Sequence, residues 1–578
     1  MVPEWLPLQR LAVVAAGLLA FAIVYAIDRP QGAWGRKLRS RLLFGIPWGT
    51  LVSLGFVLLV YLFLQGGAEN WYDPVVLPFR AWSYFYPLGM VTAGFSHASA
   101  GHLIGNLLGA LVLGTLAEYA WGHFPQSRGS SSFGSWKTNP YVRAFLIVPG
   151  AVLVAGLVSS LFAVGPVIGF SGVVFAFGGF ALAFYPLGTI VALAASTLVR
   201  LVYNAMRHPE LVDSADWVYQ TPSWATIAIQ GHALGLFVGL LVGLYLRRRR
   251  GDLPSALRLG TGVLLYGATR SLWAVYWYRG GETYVLYRAI GLALVILLAT
   301  LVVLAGATRD EPVSMPTLPS PSLLPTPSSL PSSRSSPFRL SLPSIPVSNP
   351  IAGASPAAIG FVLLLVGAAM IAGPAIPVNL VTTDEEPLPG DPIEVRDYQV
   401  TYAEDVTDGM VDVLDVELFG ETTRVETSGV IVKSQERHLW TTAASKNRLQ
   451  GSGQEQIGLG GLGWRDSVTA HRTGWQVVGG DRVYRVELEH DGDRRVAFTS
   501  TGSHAQPRVD GRNVTVVSWE DGFHLLVAHD GGIETVQIPE TNESVDAMGV
   551  EFVREEDDLF AERGETRVRI AAKETYRR

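Results

Sequence analysis

The chain has no cysteine, which excludes disulfides and thiolate-held metals. It has little charge: 16% of its residues are Asp, Glu, Lys or Arg, against about 25% in a soluble protein. Lysine is scarcest, with five against 39 arginines. Apolar sequence is abundant instead, at 49% of 578 residues, too long for one domain and too greasy to be wholly soluble. The few charges are unevenly divided. Residues 379–578 carry net −17 and the remainder net +11, so an acidic soluble part follows a basic membrane part. No nucleic-acid partner is expected.

A span needs roughly 20 apolar residues to cross ~30 Å of hydrocarbon. Ten runs are candidates, near 10–27, 43–65, 102–121, 142–163, 168–185, 187–204, 227–246, 259–278, 284–306 and 357–378. The first reads as a retained helix, because Arg29 closes it and no small-residue cleavage site follows. Lysine and arginine in short loops set orientation. Loops 28–42 and 122–141 and the run Arg247 to Arg250 are basic and fall on one side, taken as cytoplasmic. Segment 312–356 is rich in proline and serine and reads as an extended linker. The tenth run then carries the chain outward. Beyond it, alternating strings such as Arg482 to Leu488, with Gly/Asp turns, predict a β-rich domain. Sequons at Asn513 and Asn542 fit an external location.

Three strings place polar groups inside these runs: Gly169-Phe170-Ser171-Gly172, Gly231-His232-Ala233-Leu234-Gly235, and the stretch Phe95 to Asn106 containing His97 and His102. Polar residues in hydrocarbon are costly and are functional suspects. Ser171, His232, His102 and Asn106 all fall near the end opposite the basic loops. Helical spacing puts Ser171, Phe175 and Gly178 on one face, and His232, Gly235, Gly239 and Gly243 on another. Small residues at such spacing let membrane helices approach closely, near enough for His232 to activate Ser171. An imidazole with pKa near ~6.5 suits that task. His102 and Asn106, four apart, can both donate to a developing oxyanion. No aspartate lies nearby, so the arrangement is a dyad. A metal site from His97, His102 and His232 is not expected, since no carboxylate joins them and no His-Glu-x-x-His string exists; no cofactor is expected either. Arg270 reads as mid-span in the eighth run, with no role assigned. Trp273, Tyr276, Trp277 and Tyr278 read as an interfacial belt.

Together the strings resemble those of the rhomboid intramembrane serine proteases. The resemblance covers roughly residues 43–246, with Glu118 and Gly122 resembling the acidic and glycine residues that end the family's second core helix. It implies Ser171 as nucleophile, His232 as general base, and His102 and Asn106 with the Ser171 amide as oxyanion hole. Phe175 takes the place of an aromatic that stacks on the histidine, and Gly169 opens the Gly-x-Ser-Gly motif. The loop before the second core helix has Arg80 and Trp82 but lacks the family's adjacent Trp-Arg pair.

The expected fold is therefore a polytopic α-helical membrane protein, a six-helix rhomboid-like core with about four extra spans, followed by a β-rich extracytoplasmic domain. The chain divides into an extra span and basic loop (1–42), the catalytic core (43–250), two further spans (251–311), the linker (312–356), a final span (357–378) and the acidic domain (379–578). The expected partners are transmembrane protein substrates, the lipid bilayer of the cell membrane and an extracellular ligand of the acidic domain. Taken singly, each string has a plainer reading: Gly-x-Ser-Gly as helix packing, His102 and Asn106 as interhelical hydrogen bonding. Two other classes stay open, an inactive relative that binds or chaperones membrane clients, and a transporter or receptor whose polar residues line a path.

Overall fold

The computed structural model describes residues 8–29, 31–125, 129–205, 228–278, 284–308, 354–383, 387–409 and 426–576. The Pro/Ser-rich linker lies almost wholly outside the described residues. Among them, ten long helices take the places of the ten apolar runs: α1 Leu8–Asp28, α2 Trp48–Leu59, α3 Ala100–Trp121, α4 Val148–Leu161, α5 Ser171–Phe184, α6 Pro186–Ala205, α7 Ile229–Arg249, α8 Ala256–Thr269, α9 Arg288–Ala307 and α10 Pro356–Ala372. Five apolar segments are long enough to cross a membrane: α3, α4 with its N-terminal extension from Pro140, α7, α9, and α10 extended to Val378. The fourteen-residue α5 is not; at ~1.5 Å per residue it spans only about 21 Å. The chain thus enters α5 below one face of the helical layer.

The end of the layer bearing Arg247–Arg250 is fastened by polar groups. The C-terminal carbonyls of α3 are left free by helix geometry, and three arginines fill them. Arg41 donates to Tyr119 O and Ala120 O, Arg250 to Ala120 O and Trp121 O, and Arg143 to Gly122 O. One turn earlier, the buried Glu118 carboxylate accepts from the amides of Gly49 and Thr50, the Thr50 hydroxyl and His123 Nε2, all at 2.7–2.8 Å. Gly49 and Thr50 open α2, so an anion sits at the positive end of that helix. His123 Nδ1 accepts from Leu43 N, which leaves Nε2 as the donor to Glu118.

The C-terminal region is β-rich. Strands 393–395, 398–407, 426–434 and 439–445 form an antiparallel sheet in chain order. A larger eight-stranded sheet is organised on the long strand Trp464–Val477, which pairs with strands on both sides. Strand Arg482–His490 contains the alternating string picked out in the sequence. A third sheet spans 503–537.

This region docks on the loop between α2 and α3. Leu77, Trp82 and Tyr86 of that loop are buried in one apolar cluster with Tyr398, Val430, Leu459 and Val486 of the sheets. Ser83 Oγ donates to Val381 O at 2.6 Å, and Asn379 Nδ2 donates to Ala163 O at 2.8 Å. The buried Arg437 donates to both oxygens of Asp397 and, through Nη1, to Tyr86 OH at 2.9 Å. Arg465 pairs with Asp73 in the same loop. The β-rich region therefore lies at the end opposite Arg247–Arg250, where α5 begins.

Two outcomes follow from these contacts. Glu118→Ala strands the amides opening α2 and should destabilise the protein by on the order of 3 kcal/mol, read as a lower melting temperature in detergent. Burial raises the Asp397 pKa, but hydrogen bonds from Arg437 and Ser434 outweigh it and hold the carboxyl below its usual range. The contribution of this pair is present above the ordinary carboxylate pKa of ~3.9 and is lost as pH falls through the lowered value. Acid should therefore loosen the domain from the loop, and Arg437→Ala should loosen it at neutral pH; limited proteolysis across both conditions measures this.

Candidate active site

Glycine determines how closely α5 and α7 pack. A Cβ on Gly235 would meet the carbonyl of Gly172, and one on Gly239 the carbonyl of Ala176. From the other side, a Cβ on Gly179 would meet the Leu236 carbonyl. These are backbone atoms with no freedom to yield. Helical spacing puts Gly178 on this seam, but a Cβ there would meet Tyr266 of α8, and one on Gly172 would meet Ser159 of α4; Gly179 carries the α5 side. The reason is that α5 packs against several neighbours at once, so its small residues serve several faces.

The seam brings His232 Nε2 to 2.7 Å from Ser171 Oγ. The Phe175 ring stacks on the imidazole with centroids 4.2 Å apart and planes 14° from parallel. Tyr266 meets Phe175 edge-on at 5.8 Å and backs it. Ser171 is the first residue of α5, so its amide is among those the helix leaves free at its positive end.

The third string converges on the same place. Ser99 caps α3 by accepting from His102 N at 3.2 Å, which sets His102 on the first turn and Asn106 one turn below. Gly169 has φ +134°, a left-handed conformation, and donates its amide to Ala93 O. A Cβ on Gly169 would lie 2.6 Å from His102 Cε1, so the glycine leaves room for the imidazole. Asn106 Nδ2 is buried with no hydrogen-bond partner in the protein. His97 is fully buried, its ring 5.1 Å from that of His102, and its backbone N–H donates to Gln65 Oε1.

Ser171, His232, Phe175, His102 and Asn106 line one cavity of about 880 Å³. Gly169 is not on its wall but behind His102. Two arginines also line it. Arg80 comes from the docked loop, with Nε buried and unpartnered. Arg270 is not mid-span, as its apolar surroundings suggested: α8 ends at Thr269, Arg270 is its C-cap, and Ser271 turns the chain with φ +56°. Tyr276–Tyr278 then pairs with Tyr284–Leu286 as a short hairpin, and Tyr276 reaches the cavity. Gln230 also went unnoticed in the sequence. It donates to Phe162 O and Ile371 O and accepts from Val164 N, joining α7 to the segment before α5 and to α10. Its only sequence signal is an amide two residues before His232.

The family model for the rhomboid domain matches residues 83–249. Comparisons with curated proteins and with solved structures give no match. The matched segment holds Ser171, His232, His102 and Asn106, so the chain carries a rhomboid domain over residues 83–249.

Proposed function

We propose that the protein is an intramembrane serine endopeptidase that cuts transmembrane segments of other membrane proteins. The observation that carries this reading is the 2.7 Å contact between Ser171 Oγ and His232 Nε2, a nucleophile within reach of its base. His232 takes the Ser171 proton as Oγ attacks the scissile carbonyl carbon. The carbonyl oxygen becomes an oxyanion and is met by the Ser171 amide, His102 and the free Asn106 Nδ2. Collapse of this adduct breaks the C–N bond, His232 gives its proton to the leaving amine, and an acyl-enzyme remains. Water, activated by the same imidazole, releases the acyl group and restores Ser171.

In a triad an aspartate orients the histidine. Here the Phe175 face fixes the ring plane, a contact of about 0.5–1.5 kcal/mol, and nothing acidic is hydrogen-bonded to His232 among the described residues. A helical substrate shields its peptide bonds with its own hydrogen bonds, so it must unwind at the cut; weak helix formers there lower that cost. The cavity lies at the end opposite Arg247–Arg250. With those arginines cytoplasmic, Ser171 and the β-rich domain face outward, and the substrate is cut near its outer end.

Ser171→Ala and His232→Ala should each abolish cleavage of a transmembrane reporter in reconstituted vesicles, and each should abolish labelling by a fluorophosphonate. Cleavage that survives Ser171→Ala would sink the assignment. Asn106→Ala should lower kcat by roughly 10²-fold with KM little changed, as measured on the same reporter.

A further inference from the structure

The cavity around Ser171 is lopsided in charge. Its lining includes Arg80, Arg270, His102 and His232 and, among the described residues, no carboxylate. Among the described residues neither guanidinium has a hydrogen bond or ion pair; Arg80 leans over the Trp82 ring at 5.8 Å. A guanidinium in a low-dielectric site is costly unless an anion meets it. Five other arginines of the membrane part contrast with this pair. Arg41, Arg143, Arg247, Arg248 and Arg250 all spend their donors on backbone carbonyls or a carboxylate.

We propose that Arg80 and Arg270 are specificity-determining residues that select substrates bearing an acidic side chain beside the scissile bond. This rests on the protease reading above. The two cations line the same cavity as the dyad, Arg80 from the loop before α3 and Arg270 from the end of α8. The charge of Arg80 acts on His102, and that of Arg270 acts on His232 and Tyr266. A peptide reaching Ser171 enters the cavity that both line. A guanidinium takes a carboxylate in a bidentate, charge-assisted pair, and each arginine still has its donors to give. Neither is a loose surface group. Arg80 lies between Leu77 and Trp82, which are buried against the β-rich domain, and Arg270 closes α8 with its amide on Tyr266 O. A phospholipid phosphate shares the chemistry. The position of both arginines on the wall that holds the nucleophile favours the substrate, because a lipid there would block the reaction.

The test uses the full-length protein in phosphatidylcholine vesicles and a transmembrane reporter carrying Asp or Asn at each position around the cut in turn. Fluorophosphonate labelling of Ser171 is followed in the same preparation. Asp should raise kcat/KM about ten-fold over Asn at one position or more. Arg80→Gln and Arg270→Gln should each weaken the preference and the double variant should abolish it, while the Lys variants keep part of it. The Asp/Asn ratio is internal to each preparation, so a variant that folds poorly still reports. Equal rates for Asp and Asn at every position overturn the proposal, as does a preference that survives both Gln variants. Rates that respond to added phosphatidylglycerol and not to the reporter's residue overturn it in favour of a lipid phosphate. Absence of labelling at Ser171 overturns the protease reading itself, which the other outcomes leave intact.

Discussion

The contact between α5 and α7 is the constraint on which the site depends. Two membrane helices ordinarily stand apart by the width of their side chains, and a serine on one cannot reach a histidine on the other without strain. Gly179, Gly235 and Gly239 remove those side chains where the helices cross, so backbone packs on backbone. The separation is then fixed by carbonyls, which cannot rearrange. Ser171 and His232 are short side chains at the top of this seam, and their contact follows from it.

Polar chemistry is segregated to the two ends of the helical layer, with different degrees of satisfaction. At the arginine end the α3 carbonyls take three guanidiniums and Glu118 takes four donors, and the Trp48 and Trp121 indole N–H groups are the buried donors there left without an acceptor among the described residues. At the Ser171 end, Asn106 Nδ2, Arg80 Nε and both His97 ring nitrogens lack partners. A satisfied buried network rigidifies a fold, and an unsatisfied one is costly. The first end anchors the helices; the second leaves donors unpaired beside the cavity.

The β-rich region is part of this second end. It shares an apolar cluster with the loop that carries Arg80, and Asn379 ties the segment after α10 to the residues just before α5. Its larger sheet is built on a long central strand, and its first core is completed by Leu77, Trp82 and Tyr86 of the membrane part. The loop that departs from the familiar Trp-Arg pair is thus the loop that the extra domain covers.

Much of the site was legible in the chain itself. Ser171, His232, His102 and Asn106 stand out because polar residues in apolar runs are costly, and the glycine spacing on α7 announces a close partner. The stacking of Phe175 on His232 is what the resemblance to the family implies, and helical periodicity adds only that Phe175 shares a face with Ser171. Arg270 was visible but misplaced: an apolar run continues past Thr269, and only Ser271's turn in the folded chain ends the helix and puts the guanidinium at the cavity. Arg80 and Gln230 carried no pattern at all, because a single residue in a loop or at a helix start has no period to read. The docking of the β-rich region rests on pairs such as Arg437 with Tyr86, some 351 residues apart in the chain. Local sequence therefore determined the helices, the strands and the reactive groups, through hydrophobic periodicity and the cost of burying polar atoms. Tertiary structure alone decided which cations share the cavity with them and which domain lies over it, because those depend on contacts between segments that no local period links.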